Sequence, residues 1–310
     1  MPGPLYEYRY ASARFGGPLA LVRDETLLLE VGSAYDPSQS VYLAASNGKL
    51  QGKFPWRESV VAAGGESRKV KSKGKLVGFG WTSSLVLLCV DDAGSVFQYD
   101  AQGELLHSHF DALSGYETGG SGGEADGYGD DGGAGAVDAE FVVTDCQVWD
   151  EGVVVVATER DARSGRRIAR RCFSLLCSNN LESGFMQVEE LSCPGFDAGE
   201  VNAMCIAEPL TSISGKLEVF LATSEGGIYV IDAEGTSAEK QSIGDKGAVL
   251  AMSLCPNGQL LAVVTEEGEL LVISTDFNQF LTEFQTNREE EPDQVVWCGV
   301  DSVVIRWEEQ

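Results

Sequence analysis

Val219-Phe-Leu-Ala-Thr-Ser-Glu-Gly226-Gly-Ile-Tyr-Val-Ile-Asp232 and Leu260-Leu-Ala-Val-Val-Thr-Glu-Glu-Gly268-Glu-Leu-Leu-Val-Ile-Ser274 are two copies of one template. Each has an apolar strand, a polar turn ending in glycine, and a second apolar strand. Glycine at the turn supplies the φ > 0 conformation that a tight connection between twisted strands requires. Gly226 and Gly268 are 42 residues apart, which is the period of a four-stranded propeller blade. Leu85-Val-Leu-Leu-Cys-Val-Asp-Asp-Ala-Gly94-Ser-Val-Phe-Gln-Tyr-Asp100 repeats the template, and Val41-Tyr-Leu-Ala-Ala-Ser-Asn-Gly48-Lys-Leu50 does so more loosely.

Strands flank these hairpins. Leu76–Trp81, Val201–Ile206 and Val249–Leu254 precede three of them, and Glu104–Phe110 and Phe280–Phe284 follow two. Between them, 139–191 supplies another unit, with strands at Gly152–Thr158 and Ile168–Leu176. Four strands per unit is the sign of a β-propeller. The apolar runs are continuous rather than alternating, as strands buried on both faces require. No stretch longer than about two turns shows the helical i, i+3, i+4, i+7 spacing. The chain therefore reads as all-β, with about five full blades from Leu19 to Phe284 and Val295–Trp307 as the start of another. Val303, Val304 and Ile305 at that last unit call for a neighbour, so residues 1–310 are expected to be a propeller incomplete at its C-terminus. Residues 114–136 are Gly-rich and acidic with almost nothing to bury, and are read as a disordered insertion between blades.

Composition narrows the chemistry. The chain has 48 acidic and 22 basic side chains, a formal net charge of -26, which opposes nucleic-acid binding over most of the surface. The N-terminus has no basic segment followed by an apolar one, and no run of about 18 apolar residues occurs. A cytoplasmic protein is expected. The eight cysteines are scattered without a C-x-x-C pair and lie mostly in apolar runs, as buried reduced thiols do. The only histidines are His107 and His109, too few and too close for a four-ligand zinc site. A calcium loop starting at Asp126 fails at Tyr128 and Val137, where oxygen ligands belong. Asp91-Asp92 and Glu266-Glu267 sit at hairpin tips, where turn chemistry accounts for them. No base and nucleophile can be assembled, so neither catalysis, a metal nor a cofactor is expected.

Half of the basic residues fall in two short segments. One holds Arg68, Lys69, Lys71, Lys73 and Lys75 in an expected loop; the other holds Arg160, Arg163, Arg166, Arg167, Arg170 and Arg171 at an expected hairpin tip. A solvated turn explains such a run. The functional alternative is a docking patch for an acidic partner or anionic lipid, made by Arg163, Arg166, Arg167 and Arg170 with Arg68, Lys69, Lys71 and Lys73.

Several stretches resemble the N-terminal domain of the vacuolar protein sorting-associated protein 16 family. They are Ala251–Ala262, Thr265–Gly268, Ser274–Phe277 and Val295–Val304 with its Trp297-Cys-Gly-Val-Asp301, then Phe15–Asp24, Gly80–Ser84 and Val90–Asp100. The resemblance implies a seven-bladed propeller without catalytic activity, heading a scaffold subunit of the HOPS and CORVET tethering complexes. It also implies partners among the other tethering subunits, Rab GTPases and SNARE machinery, and peripheral attachment to late endosome, vacuole or lysosome membranes. In that family an α-solenoid follows the propeller and holds the Sec1/Munc18-type subunit; no solenoid is present in these residues. The 114–136 insertion and the basic segments have no counterpart in the family pattern. The alternative is a generic propeller adaptor outside trafficking, although no Gly-His…Trp-Asp pairs occur.

Overall fold

In the computed structural model every element among the described residues is a β-strand. The described residues are the strands from Leu19 onward and, with their side chains, most of residues 75–113, 141–160 and 200–307, together with Arg166 and Leu191. The expected insertion at 114–136, His107, His109 and Gly48 lie outside them.

The chain divides into two compact units. The first, Met1–Phe110 with Val148–Glu151, holds three sheets. One is β1 (Leu19–Leu21), β2 (Leu27–Val31), β3 (Ser40–Ala45) and β4 (Leu50–Pro55) in sequential order. β5 (Ser59–Ala63) and β6 (Glu66–Val70) form a separate hairpin, and β7 (Leu76–Trp81), β8 (Leu87–Asp91), β9 (Ser95–Tyr99) and β10 (Phe110–Asp111) form a sheet. The second unit, Asp111–Gln147 with Gly152–Gln310, holds the rest. β11 (Ala139–Trp149), β12 (Gly152–Asp161), β13 (Ser174–Asn179) and β14 (Gln187–Glu190) make one sheet. β15 (Val201–Ala207), β16 (Glu218–Thr223), β17 (Ile228–Asp232) and β18 (Ala238–Gln241) make the next. β19 (Val249–Leu254), β20 (Leu260–Thr265), β21 (Glu269–Ser274) and β22 (Phe280–Gln285) follow, and β23 (Gln294–Cys298) pairs with β24 (Ser302–Arg306). The four-stranded antiparallel sheets are propeller blades, as the sequence period requires.

The template repeats down to single hydrogen bonds. β7, β15 and β19 each carry a bulge one residue in, at Leu76/Gly78, Val201/Ala203 and Val249/Ala251. Their second strands end on buried Asp91, Thr223 and Thr265. The carbonyls of these residues accept from Gly94, Gly226 and Gly268 at 3.0, 3.0 and 2.9 Å. The next residue, Asp92, Ser224 or Glu266, donates to the carbonyl just before the first strand at 2.8–2.9 Å. All three glycines have positive φ, as the turn chemistry requires.

Two sequence expectations are corrected. Of the fourth strand expected over Glu104–Phe110, Glu104–Leu106 holds only a bridge between Tyr99 and Leu105, 107–109 lie outside the described residues, and Phe110 begins the short β10. A turn intervenes in which Asp100 Oδ1 accepts from the Gln102 and Glu104 amides. The strand expected over Ile168–Leu176 agrees with β13 at Ser174–Leu176, and 168–173 lie outside the described residues. The loop expected to carry Arg68 and Lys69 is instead strand β6, where they pair with Val61 and Val60 of β5.

Why β20 is apolar throughout follows from its place. Leu261 and Val263 pack toward β15–β18 in a cluster with Phe220, Ile228 and Met252. Ala262 and Val264 face the other way and meet Val295, Trp297, Val303 and Ile305 of β23–β24. Each such Leu or Val side chain gains about 1.5–3 kcal/mol on leaving water. Side-chain N–H groups also tie the first strands together. Gln147 Nε2 donates to Met204 O at 2.7 Å, Asn202 Nδ2 to Val249 O at 3.1 Å, and Trp297 Nε1 to Ser253 O at 2.9 Å.

Gly258, at φ +73°, turns the chain between β19 and β20, and a Cβ there would overlap the Thr211 carbonyl from the β15–β16 loop. At Gly226, φ +77°, a Cβ meets open space. Gly226→Ala should therefore cost only the left-handed backbone penalty, about 1 kcal/mol. Gly258→Ala should cost about 3 kcal/mol or more, since backbone must move as well. Equal urea midpoints for the two variants would refute this packing.

Candidate interaction surface

Among the described residues no group of His, Cys, Asp and Glu could hold a metal ion. Cys89, Cys146, Cys205, Cys255 and Cys298 are free thiols, all but Cys298 buried. Burial pushes the Cys89, Cys205 and Cys255 thiols up, away from the thiolate that nucleophilic chemistry needs. Asp91 is spent on its own turn: its Oδ1 accepts from the Ala93 and Ser95 amides at 3.1 and 2.7 Å. Asp92 Oδ1 accepts from the Lys75 amide at 2.8 Å, so this carboxylate pair is turn structure.

Asp145 on β11 differs. Burial pushes its carboxyl up to about 6, against the opposing effect of the Cys146 amide, which donates to Oδ1 at 2.8 Å. Because burial disfavours the ionised form, its charge is carried at some cost to the fold.

The residues of the expected basic patch are placed unevenly. Arg166 is exposed in the connection between β12 and β13, as a hairpin tip should be. Arg163, Arg167 and Arg170 in that connection lie outside the described residues, as do Lys71 and Lys73. Arg68 and Lys69 lie on β6, in the other compact unit.

Sequence reasoning missed the apolar surface of the second unit. Leu210 is 82% exposed and Ile213 65% in the β15–β16 loop, and Val300 is exposed in the β23–β24 turn. Because β15, β19 and β23 are linked side by side through Asn202 and Trp297, these first-to-second-strand turns share one end of the three sheets. The outer strand β22 adds exposed Phe280, Leu281 and Phe284. Next to it Lys246 Nζ bridges Glu269 at 3.1 Å and Glu283 at 2.7 Å. A contact surface is what this mixture of apolar loops and ion-paired carboxylates can provide.

Residues 174–310 match the family described as Vps16, N-terminal region. Over 97% of the chain and 31% of the relative, the sequence is 22% identical to Protein VACUOLELESS1 of Arabidopsis thaliana. It is 24% identical to the vacuolar protein sorting-associated protein 16 homolog of Dictyostelium discoideum over 54% of the chain and 19% of that relative. It is 23% identical to the probable homolog of Schizosaccharomyces pombe over 96% of the chain and 30% of that relative. The chain thus spans about a third or less of the length of the curated relatives it matches. Among solved structures, the C-terminal WD40 domain of Sif2 superposes with TM-score 0.55 at 12% identity, covering 95% of this chain and 79% of that one. The β-propeller domain of Cps50 (Swd1) from Myceliophteria thermophila gives TM-score 0.50 at 12% identity, covering 86% and 70%. The resemblance to Vps16 N-terminal regions and the propeller fold read from the repeats are both borne out.

Asp145 supplies a pH test of the interior. Its folded value lies above the unfolded value of about 3.9, so its contribution to stability is fully present below pH 4 and lost as pH rises through about 6. Asp145→Asn keeps the acceptor for the Cys146 amide. It should stabilise the protein by about 1–3 kcal/mol at pH 8, with the gain fading toward pH 4. Chemical denaturation at both pH values checks this; a gain independent of pH would assign the effect elsewhere.

Proposed function

We propose that this chain is the propeller part of a non-catalytic scaffold subunit in a HOPS- or CORVET-type complex that tethers endosomal and vacuolar or lysosomal membranes before fusion. The observation that carries the reading is the match of residues 174–310 to Vps16 N-terminal regions, with Protein VACUOLELESS1 and a probable vacuolar protein sorting-associated protein 16 homolog aligning over nearly the whole chain. A propeller suits the role physically. Its sheets are held by buried apolar faces, so its loops and outer strands are free to vary for partners without loss of the core. In this reading the partners are the other tethering subunits, with Rab GTPases and SNARE machinery reached through the assembled complex. The chain works from the cytoplasmic side, peripheral on late endosomal and vacuolar membranes.

The basic segments fit the same role. The chain carries a net charge of -26, so a local cluster around Arg163, Arg166, Arg167 and Arg170 offers a rare attractive site for an acidic protein surface or anionic lipid head groups.

Affinity purification of the tagged chain from the cells that make it, followed by mass spectrometry, tests the assignment. Tethering-complex subunits should be recovered in reproducible excess; their absence beside a different, constant set of partners would overturn it. Charge reversal at Arg166, Arg167 and Arg170 should lower co-sedimentation with anionic liposomes, or recovery of the acidic partner, several-fold at low salt. Unchanged recovery in both assays would return this segment to a solvated turn.

A further inference from the structure

Neighbouring blades of the second unit end on outer strands of opposite character. β18 reads Ala238-Glu-Lys-Gln241, short and charged, which is how a sheet edge is kept from pairing with other chains. β22 holds the equivalent place, pairs with β21 alone among the described residues, and reads Phe280-Leu-Thr-Glu-Phe-Gln285. All six residues are exposed, with Phe280 at 55%, Leu281 at 50% and Phe284 at 60%.

The register explains how an edge comes to be apolar on both faces. Ile273 opposes Phe280 and Val272 opposes Thr282, so Leu281 is the extra residue of a bulge. The bulge offsets the alternation. Phe280 lies opposite Ile273, which packs toward β15–β18, whereas Phe284 lies opposite Leu270, which packs toward β23–β24. Apolar groups on both faces belong to a strand covered by a sheet on each face, as β20 is, whereas Phe280, Leu281 and Phe284 of β22 are exposed and its far edge is unpaired among the described residues.

Charge narrows the occupant. Exposed Asp276 precedes the strand and exposed Glu289, Glu290 and Glu291 follow it. Of the nearby cations, Lys246 is held by Glu269 and Glu283, and Arg288 lies over the Trp307 ring. Two copies of β22 pairing antiparallel would set Asp276 against Glu289–Glu291, in chains that each carry a net charge of -26. The same carboxylates repel an anionic bilayer.

We propose that β22 is a docking edge that takes an extended segment of a partner protein as a fifth strand, apolar at alternate positions and carrying Lys or Arg toward Asp276 and Glu289–Glu291. Main-chain hydrogen bonds hold the segment, and Phe280, Leu281 and Phe284 cover its side chains. This stands on the sheet edge alone and does not depend on the tethering assignment.

Selection of a random dodecapeptide phage library on the full chain tests it, with Phe280→Ser/Phe284→Ser as the counter-selected variant. Both side chains are exposed, so the variant should melt as the parent does. Enriched peptides should alternate apolar residues between basic ends, bind the variant at least 10-fold more weakly in fluorescence anisotropy, and lose affinity with added salt. Bound peptide should slow amide exchange across 280–285. No enrichment over the variant, undiminished binding after N-methylation of alternate peptide amides, or self-association of the parent that the variant abolishes would each overturn the proposal.

Discussion

A strand with apolar side chains on both faces is stable only between two other sheets, and β20 is such a strand. Leu261 and Val263 serve one neighbour while Ala262 and Val264 serve the other, so neither contact can be given up without opening the second. The rest of the second unit follows from that requirement. First strands must come close enough for Asn202 and Trp297 to reach carbonyls of β19, and the turn at Gly258 must admit the Thr211 backbone. Polar links of this kind fix the register between sheets that apolar contact alone would leave free to slide.

The same packing decides what chemistry the interior can perform. Thiols at Cys89 and Cys205 are so far from water that they behave as small hydrophobes, and Asp145 carries a charge the fold disfavours. What remains for function lies outside: turns bearing Leu210, Ile213 and Val300, basic Arg166 in the β12–β13 connection, and the outer strands. Exposed turns and outer strands can change without disturbing that buried interior.

Much of this was legible before any coordinates. The strand, polar turn, glycine, strand template placed Gly94, Gly226 and Gly268 at positive φ, and β7 and β19 have the bounds their apolar runs suggested. Legibility failed where local pattern and pairing diverged. The charge of Arg68 and Lys69 reads as a loop, yet the backbone there pairs as β6 with Val61 and Val60 of β5. Glu104–Phe110 alternates like a strand, yet the turn built on Asp100 consumes its beginning.

The site was less readable than the fold. Phe280–Phe284 was recognisable as a strand, but the sequence carries no mark of the bulge at Leu281, because a bulge is a mismatch between two strands. Only the register with β21 shows that Phe280 and Phe284 stand on opposite faces, and only the layout of sheets shows that β22 is an edge. The sequence by itself determined the repeat, the turns and the apolar strands, since these rest on local backbone preference and on a period written along the chain. Which apolar residues were left facing water was decided by tertiary structure alone, because exposure depends on which surfaces the folded sheets have already covered.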